Sequence, residues 1–434
     1  MLLGLASACS SDPPAPHLPA VQWQSAHFRY AAWPDDTEAC AGVTDVLEEH
    51  WAFWHDQLGL PELGRAEILY SKARDDGELL DQKWCPGTSG GCTTGTDVRS
   101  YLLFDKHELI HAYLAETMPP PVPLFAEGAA VAFSCDAGGL TGPDPPPAWR
   151  NVLDPPSGDP GWYSLYPTGG RLVSLLFTRF GAHAFIRFYA AIGMLTDPDA
   201  IAEKFQSTFG TTLDDVWADA AASPICLALW ECTRPIIPLD ATPQTGPLVC
   251  GKNLVPRTLQ IDVETNVVAS IRNAPSNLGL GPTCGDSTAP GGLSLWPGGS
   301  FTLLADLVPG TYVVNLGGGE MTATPIATPS VGGNCADLVP YPVVADGLPL
   351  FVAAARRTAY ARVGFAEPRN GVLSGEISPG APTALWSCPA CTTDWNSCPM
   401  AGDLDVRAVF QGDYAWNMQT YGPSWAMAYF KDPP

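Results

Sequence analysis

Basic side chains are scarce in this sequence. Its 434 residues include 22 lysines and arginines against 45 aspartates and glutamates, which gives a formal net charge of -23. A chain this acidic repels nucleic acids and anionic lipid surfaces, so we expect neither as a partner. Long hydrophobic runs are also lacking, because no apolar stretch reaches the roughly 18 residues that a membrane-spanning helix needs.

Low-complexity composition is absent as well. Glycine and proline, at 43 and 44 residues, stay below the proportion typical of disordered or fibrous chains, although they favour short strands and many loops. Hydrophobic residues make up 46% of the sequence, which excludes wholesale disorder. At roughly 150 residues per domain, the length predicts two or three domains.

Cysteine, in contrast, is abundant. The 13 cysteines are typical of an oxidising compartment, where disulfides form and persist. Cys85 and Cys92 are spaced as a loose pair, as are Cys226 and Cys232, and neither pair has the spacing of a tight metal knuckle. We therefore predict an extracytoplasmic protein with disulfides.

The first nine residues, MLLGLASAC, are a short apolar run that ends in small residues and a cysteine. They resemble the signal segment of bacterial lipoproteins, which implies that Cys9 carries a lipid and that residues 10–22 form a tether. The protein would then be a cell-envelope lipoprotein or secreted, and a lipid anchor at Cys9 is the only membrane contact that we expect. An ordinary hydrophobic N-terminus or a misassigned start is the alternative.

Hydrophobic periodicity divides the rest of the chain into two regions. Residues 23–236 mix helix and strand signals, which predicts an α+β domain. After a proline-containing linker, 237–247, residues 248–434 contain short β-branched runs between Gly/Pro turns, which is typical of an all-β, sandwich-like region. A faint internal repeat suggests two modules there, 248–330 and 331–434. The predicted helices are 44–58, 106–117, 124–133, 171–180 and 212–222, and the predicted strands of the first region are 67–70 and 98–104.

The residues that carry chemistry are His107, Glu108 and His111, in the run HELIH. On a helix, positions 107 and 111 lie one turn apart on the same face, so both imidazoles can reach one metal ion. Glu108 lies beside them and can take a proton from a bound water molecule. The helix is expected independently because Asp105 is a good N-cap and a proline run follows. A surface helix with two solvated histidines is the alternative.

A catalytic zinc site needs a third protein ligand and one open position. Glu127 is the candidate because it lies at the start of a second apolar helix, and two helices joined by a proline turn pack antiparallel. A lone acid in an apolar helix also requires a positive partner, which a metal ion supplies. Interaction with the helix macrodipole is the alternative role of Glu127.

The runs HELIHAY and LFAEGAA resemble the gluzincin-type zinc metallopeptidases of the MA clan, in particular the small bacterial MA-like families. The resemblance implies a zincin-like metallopeptidase fold, Zn2+ held by His107, His111 and Glu127, and Glu108 as the general base. It implies nothing about the β-rich half of the chain.

One further segment matches the family, and one position departs from it. Residues 163–170 are similar to the Tyr-x-x-x-Gly segment that leads into a helix in the family. Many gluzincins also have an aspartate that orients a histidine where this chain has Val131, so we expect a backbone carbonyl in that role.

The mechanism needs a hydrogen-bond donor for the developing oxyanion. Tyr166 is the predicted donor, with Tyr163 as the alternative. The predicted function is zinc-dependent hydrolysis of a peptide or protein substrate. Two other interpretations share the metal residues: an inactive zincin-fold surface protein that acts in adhesion or recognition through its β modules, and an enzyme with a non-peptide substrate.

Overall fold

The computed structural model divides the chain into two compact units, Met1–Ala218 and Asp219–Pro434. The predicted lipidation site, Cys9, lies outside the residues that the structure describes. Those residues are 17–61, 68–81, 84–85, 90–136, 147–155, 160–252, 254–262, 265–274, 278–283, 293–295, 299–307, 309–314, 316, 318–326, 340–341, 350–354, 358–377, 383–389, 400–401, 406–420 and 424–431.

The first unit contains a five-stranded sheet. Its strands are β1 (Val21–Gln24), β2 (Phe28–Ala31), β3 (Ile68–Lys72), β4 (Gly91–Thr94) and β5 (Asp97–Ser100). They lie in the order β1-β2-β3-β5-β4, with β2, β3 and β5 parallel to one another and the two outer strands antiparallel to their neighbours. β4 is therefore an edge strand, and a two-residue turn joins it to β5.

Helices lie between and after these strands in the sequence. The described helices are α1 (Gly42–Leu58), α2 (Asp76–Asp81), α3 (Lys106–Ala115), α4 (Pro123–Ser134), α5 (Pro160–Phe180), α6 (Ala182–Ile192), α7 (Pro198–Phe209), α8 (Leu213–Ala220) and α9 (Leu229–Cys232), together with a 3-10 turn at Trp149–Asn151. The predicted α+β character of the first region is confirmed. The helices predicted at 44–58, 106–117 and 124–133 correspond to α1, α3 and α4.

Local sequence explains where α3 and α4 begin. The Asp105 side chain accepts a hydrogen bond from the Glu108 backbone N–H, which would otherwise lack a partner in the first turn of α3. Pro123 occupies the first turn of α4, where its missing N–H costs nothing and its fixed φ suits the helix. α4 ends at Ser134, and the next residue, Cys135, caps it in a left-handed conformation with φ 58°.

Two sequence predictions differ from the structure. The helix predicted at 171–180 begins already at Pro160, so Pro167 lies inside it rather than before it. The strand predicted at 98–104 ends at Ser100, because the following carbonyls have other partners. The Tyr70 hydroxyl donates to the Leu102 carbonyl at 2.8 Å, and the Tyr30 hydroxyl donates to the Leu103 carbonyl at 3.2 Å.

Aromatic side chains fill the core of the first unit. Rings from α4 to α7 meet edge to face, as where Phe125 contacts Phe188 at 5.1 Å and Phe133 contacts Phe185 at 5.8 Å between centroids. His50 on α1 is fully buried, with Nδ1 2.9 Å from the Tyr113 hydroxyl of α3. This histidine packs α1 against α3, so its role is structural.

The second unit is rich in strands. The described strands are β6 (Gln244–Thr245), β7 (Arg257–Ile261), β8 (Thr265–Ala274), β9 (Leu278–Thr283), β10 (Leu293–Leu295), β11 (Gly299–Leu307), β12 (Gly310–Val314), β13 (Glu320–Ile326), β14 (Pro340–Tyr341), β15 (Leu350–Ala354), β16 (Thr358–Ile377), β17 (Thr383–Pro389), β18 (Met400–Ala401), β19 (Val406–Thr420) and β20 (Ser424–Lys431). β7, β9, β10 and β12 form one antiparallel sheet, and the other strands form a second sheet in which β11 and β15 pair in parallel.

Disulfides are present, as the cysteine content predicts. Cys85 and Cys92 are bonded to each other. The other disulfide-bonded cysteines of the described chain are Cys40, Cys135, Cys226, Cys232 and Cys250. These bonds indicate an oxidising, extracytoplasmic environment. None of the helices described is both long enough and apolar enough to cross a membrane.

Candidate metal centre

Two histidines of α3 point to one place. His107 and His111 lie one turn apart, and their Nε2 atoms are 3.3 Å from each other. The Asp105 cap sets the start of this helix, and Asp105 is itself held by the Ser100 hydroxyl, which donates to its Oδ2 at 2.7 Å. The end of β5 therefore fixes the direction in which the two imidazoles project.

Glu127 reaches the same place from α4. Its Oε2 lies 3.0 Å from Nε2 of His107 and 3.3 Å from Nε2 of His111. In the described part of the chain, these three residues are the one group of histidine, cysteine or acidic side chains whose ligand atoms converge closely enough to hold a metal ion. The side chains of His111 and Glu127 keep 17% and 18% of their surface exposed, so solvent reaches the cluster.

Charge is concentrated in this cluster. Burial alone would raise the pKa of Glu127, but the nearby histidines outweigh it and hold the pKa well below the usual range. Burial alone would lower the pKa of His107, but its hydrogen bond to Glu127 and the charge of that carboxylate raise the pKa to about 9. Without a metal ion, an imidazolium therefore neutralises Glu127.

Glu108 lies on the same helix beside the cluster. Burial raises the pKa of its carboxyl group, while the charges of His111 and His107 act in the opposite direction. Its Oε2 is 2.8 Å from the hydroxyl of Thr93 on β4. A half-buried carboxylate with a raised pKa, next to a cluster that could hold a metal ion, is the arrangement that a general base requires.

Tyr166 also lies at the cluster. Its ring stacks on the imidazole of His107, with centroids 5.6 Å apart and an interplanar angle of 28°. The alternative candidate, Tyr163, lies in α5, and the structure describes its backbone but not its side chain.

A glycine contact explains how α5 comes so close. A methyl group added at Gly169 would lie 2.6 Å from the Leu124 carbonyl oxygen and 2.9 Å from Cα of Gly128. Only two glycines facing each other allow α4 and α5 to approach to this distance. Gly128 directly follows Glu127, and Gly169 is one helical turn after Tyr166, so the same contact places both site residues.

Replacing Gly169 with alanine should therefore destabilise the first unit. The new methyl group meets backbone atoms, which cannot move aside without shifting a helix, and overpacking of this kind costs about 1–3 kcal/mol or more. Gly77→Ala in α2 is the matched control, because its methyl group would meet only the end of the Asp75 side chain. Urea unfolding monitored by tryptophan fluorescence measures both; equal midpoints for the two variants would contradict this role of Gly169.

For one of the two histidines, His107, the structure shows no orienting partner on the second ring nitrogen among the described residues. Its buried Nδ1 has no hydrogen-bond partner among the residues described, so no backbone carbonyl there takes the orienting role. Val131, at the position of the aspartate in many gluzincins, is a fully buried core residue.

Several site residues could not be recognised from the sequence. Gly128 has a sequence signal, because it directly follows Glu127 in the motif. Thr93 and Ser100 have none, because they lie on strands whose register determines what they contact.

No protein-family model and no curated protein matches the chain. The resemblance to gluzincins therefore depends on the HELIH and Glu127-Gly128 motifs.

Proposed function

We propose that this protein is a zinc-dependent peptidase with its active site at His107, Glu108, His111 and Glu127. The observation that carries the proposal is the convergence of two imidazole nitrogens and one carboxylate oxygen within 3.3 Å of each other, next to the Glu108 carboxylate. Two histidines and one glutamate form the ligand set of a known class of catalytic zinc sites, in which the fourth position stays open.

The spacing of the three atoms fits a zinc ion. Bonds of about 2.0–2.2 Å at tetrahedral angles place neighbouring ligand atoms roughly 3.3–3.6 Å apart. The spacings here, 3.0, 3.3 and 3.3 Å, lie at or just below the lower end of that range. Movements of a few tenths of an ångström would therefore be enough to form the site.

The chemistry divides between the ion and the chain. His107, His111 and Glu127 would hold a zinc ion, which would polarise the substrate carbonyl and lower the pKa of a nearby water molecule. Glu108 accepts a proton from the attacking water and then delivers it to the leaving amine. Tyr166 donates a hydrogen bond to the oxygen that becomes negatively charged.

The position of β4 supports a peptide as the substrate. This edge strand has a neighbour on one side only, β5, within the described sheet, so its other side offers backbone groups to an extended chain. Thr93 of β4 contacts Glu108. A peptide paired along this edge would therefore lie close to the general base.

The finer assignments of fold and location are part of the same proposal. The antiparallel edge strand and the two ligand-bearing helices α3 and α4 support a zincin-like domain. The strand-rich second unit supports a β-sandwich region. This region would bind a ligand, position the catalytic domain or act as a spacer. The N-terminal motif supports a cell-envelope lipoprotein anchored through Cys9, or a secreted protein.

The raised pKa of His107 predicts how zinc binding depends on pH. A pKa of about 9 means that the metal-free protein holds a proton on this imidazole at pH 7, and zinc must displace it. We expect about one proton to be released per zinc bound at pH 7, and affinity to fall about tenfold for each pH unit between about pH 9 and pH 7. Calorimetry in buffers of different ionisation enthalpy counts the protons; release of none would contradict the prediction.

Hydrolysis of a mixed peptide library by the full-length protein tests the function. New amino termini identified by mass spectrometry, lost with a chelator and restored by zinc, are the expected result. A protein that holds zinc but releases no fragments would be an inactive zincin or an enzyme with another substrate, and the peptidase proposal would be wrong.

A further inference from the structure

On the edge strand β4, Thr93 contacts the proposed general base, Glu108, at two atoms. The Thr93 hydroxyl oxygen lies 2.8 Å from Oε2 of Glu108 and 2.9 Å from the backbone carbonyl oxygen of the same residue. The Thr93 side chain thus contacts both the carboxylate of Glu108 and the backbone of Glu108 in α3. Since Thr93 and Glu108 are 15 residues apart, this contact depends on how β4 packs against α3.

β4 approaches Glu108 so closely that position 91 of the strand has no room for a side chain. Gly91 lies two residues before Thr93 and therefore on the same face of β4. A methyl group at Gly91 would lie 2.9 Å from Cγ of Glu108 and 2.8 Å from Oδ2 of Asp105. Gly91 leaves room for the glutamate chain, and Thr93 binds its end.

The other face of β4 is anchored covalently. Cys92, between Gly91 and Thr93, is bonded to Cys85. Cys85 belongs to a buried cluster with Ala73, Leu79 and Trp84, against which Cys92 also packs. The disulfide therefore ties the strand to a packed core while its opposite face meets Glu108, which limits the movement of the Thr93 hydroxyl.

We propose that Thr93 is a positioning residue that holds the Glu108 carboxylate in the orientation needed for proton transfer. This inference rests on the proposed function for its catalytic meaning. The contact does not require a particular charge on Glu108, because a hydroxyl can donate one hydrogen bond and accept others. Thr93 can donate to the carboxylate, or donate to the backbone carbonyl while it accepts from a carboxylic acid.

Three variants of the full-length protein separate this role from a general effect on the strand. Thr93→Val keeps the shape of the side chain and removes the hydroxyl. Thr93→Ser keeps the hydroxyl. Thr94→Val makes the same change at the next residue, which is exposed and points to the opposite face.

We expect Thr93→Val to lower kcat for peptide hydrolysis about 10- to 100-fold, the range that corresponds to a lost hydrogen bond to a charged group. KM and zinc content should change little. The Thr93 hydroxyl points to Glu108, so it contacts neither the backbone groups with which a peptide would pair nor a proposed metal ligand. Thr93→Ser should recover most of the rate, and Thr94→Val should match the wild type. A Thr93→Val protein with wild-type kcat, or a loss that serine fails to rescue, would overturn the proposal.

Crystal structures of the wild type, Thr93→Val and Thr93→Ser test the positioning without any activity. Glu108 should leave its orientation in the valine variant and keep it in the serine variant. An unmoved Glu108 in Thr93→Val would overturn the proposal even if the enzyme is active. If the wild type cleaves no peptide, the proposed function fails, and the crystal structures still decide whether Thr93 positions Glu108.

Discussion

Replacing Glu108 with glutamine is expected to lower peptide hydrolysis by about 10²–10⁴-fold, the usual contribution of a general base, and to leave the zinc content unchanged. The amide has nearly the size of the carboxylate and can still accept a hydrogen bond from the Thr93 hydroxyl. It cannot accept a proton from water. In the metal-free protein, burial raises the pKa of the Glu108 carboxyl group.

Glu203→Gln is the matched control, because it makes the same change at an exposed position on α7. Rates on a peptide identified in the library and zinc content by mass spectrometry are measured for both variants. If Glu108→Gln cleaves at the wild-type rate while it holds zinc, the mechanism proposed for Glu108 is wrong.

Removal of any one of the three ligands should abolish tight zinc binding. In His107→Ala, His111→Ala and Glu127→Ala, two protein ligands remain, which are too few for a catalytic zinc site. Loss of an outer-shell partner alone typically costs about 10–100-fold in metal affinity, and loss of a direct ligand should cost more. Competition with a chromogenic chelator measures the affinity.

His183→Ala serves as the control for the histidine variants, because His183 is exposed on α6 and contributes no atom to the cluster. Its zinc affinity should equal that of the wild type. Wild-type affinity in Glu127→Ala would mean that the third ligand lies elsewhere in the chain.

The cluster of candidate ligands could be predicted because helical geometry is local. The spacing of His107 and His111 places both on one face of any helix, and Asp105 and the proline run indicate where that helix begins and ends. Glu127 followed from the same reasoning, since a proline turn between two helices brings their faces together. The structure brings these three residues within hydrogen-bond distance.

The surroundings of the cluster could not be predicted, because they depend on contacts between distant segments. Thr93 reaches Glu108 only because β4 pairs with β5 in one particular register. The helix α5 begins before Pro167, although proline in a sequence usually predicts the end of a helix. Its close approach at Gly169 needs a glycine on each helix, and a single sequence does not reveal which glycines meet.

The second unit illustrates the same limit. Short β-branched runs between Gly/Pro turns predict strands, and strands are found there. Their order depends on pairing between segments far apart in the chain, such as the parallel contact of β11 with β15. Local pattern carries no information about such a partner.

Anomalous diffraction at the zinc absorption edge, from crystals of the full-length protein, tests the proposed zinc site most directly. The expected result is one strong peak about 2.0–2.2 Å from Nε2 of His107, Nε2 of His111 and a carboxylate oxygen of Glu127. Crystals that contain zinc but show no peak between these three residues would contradict the proposed site.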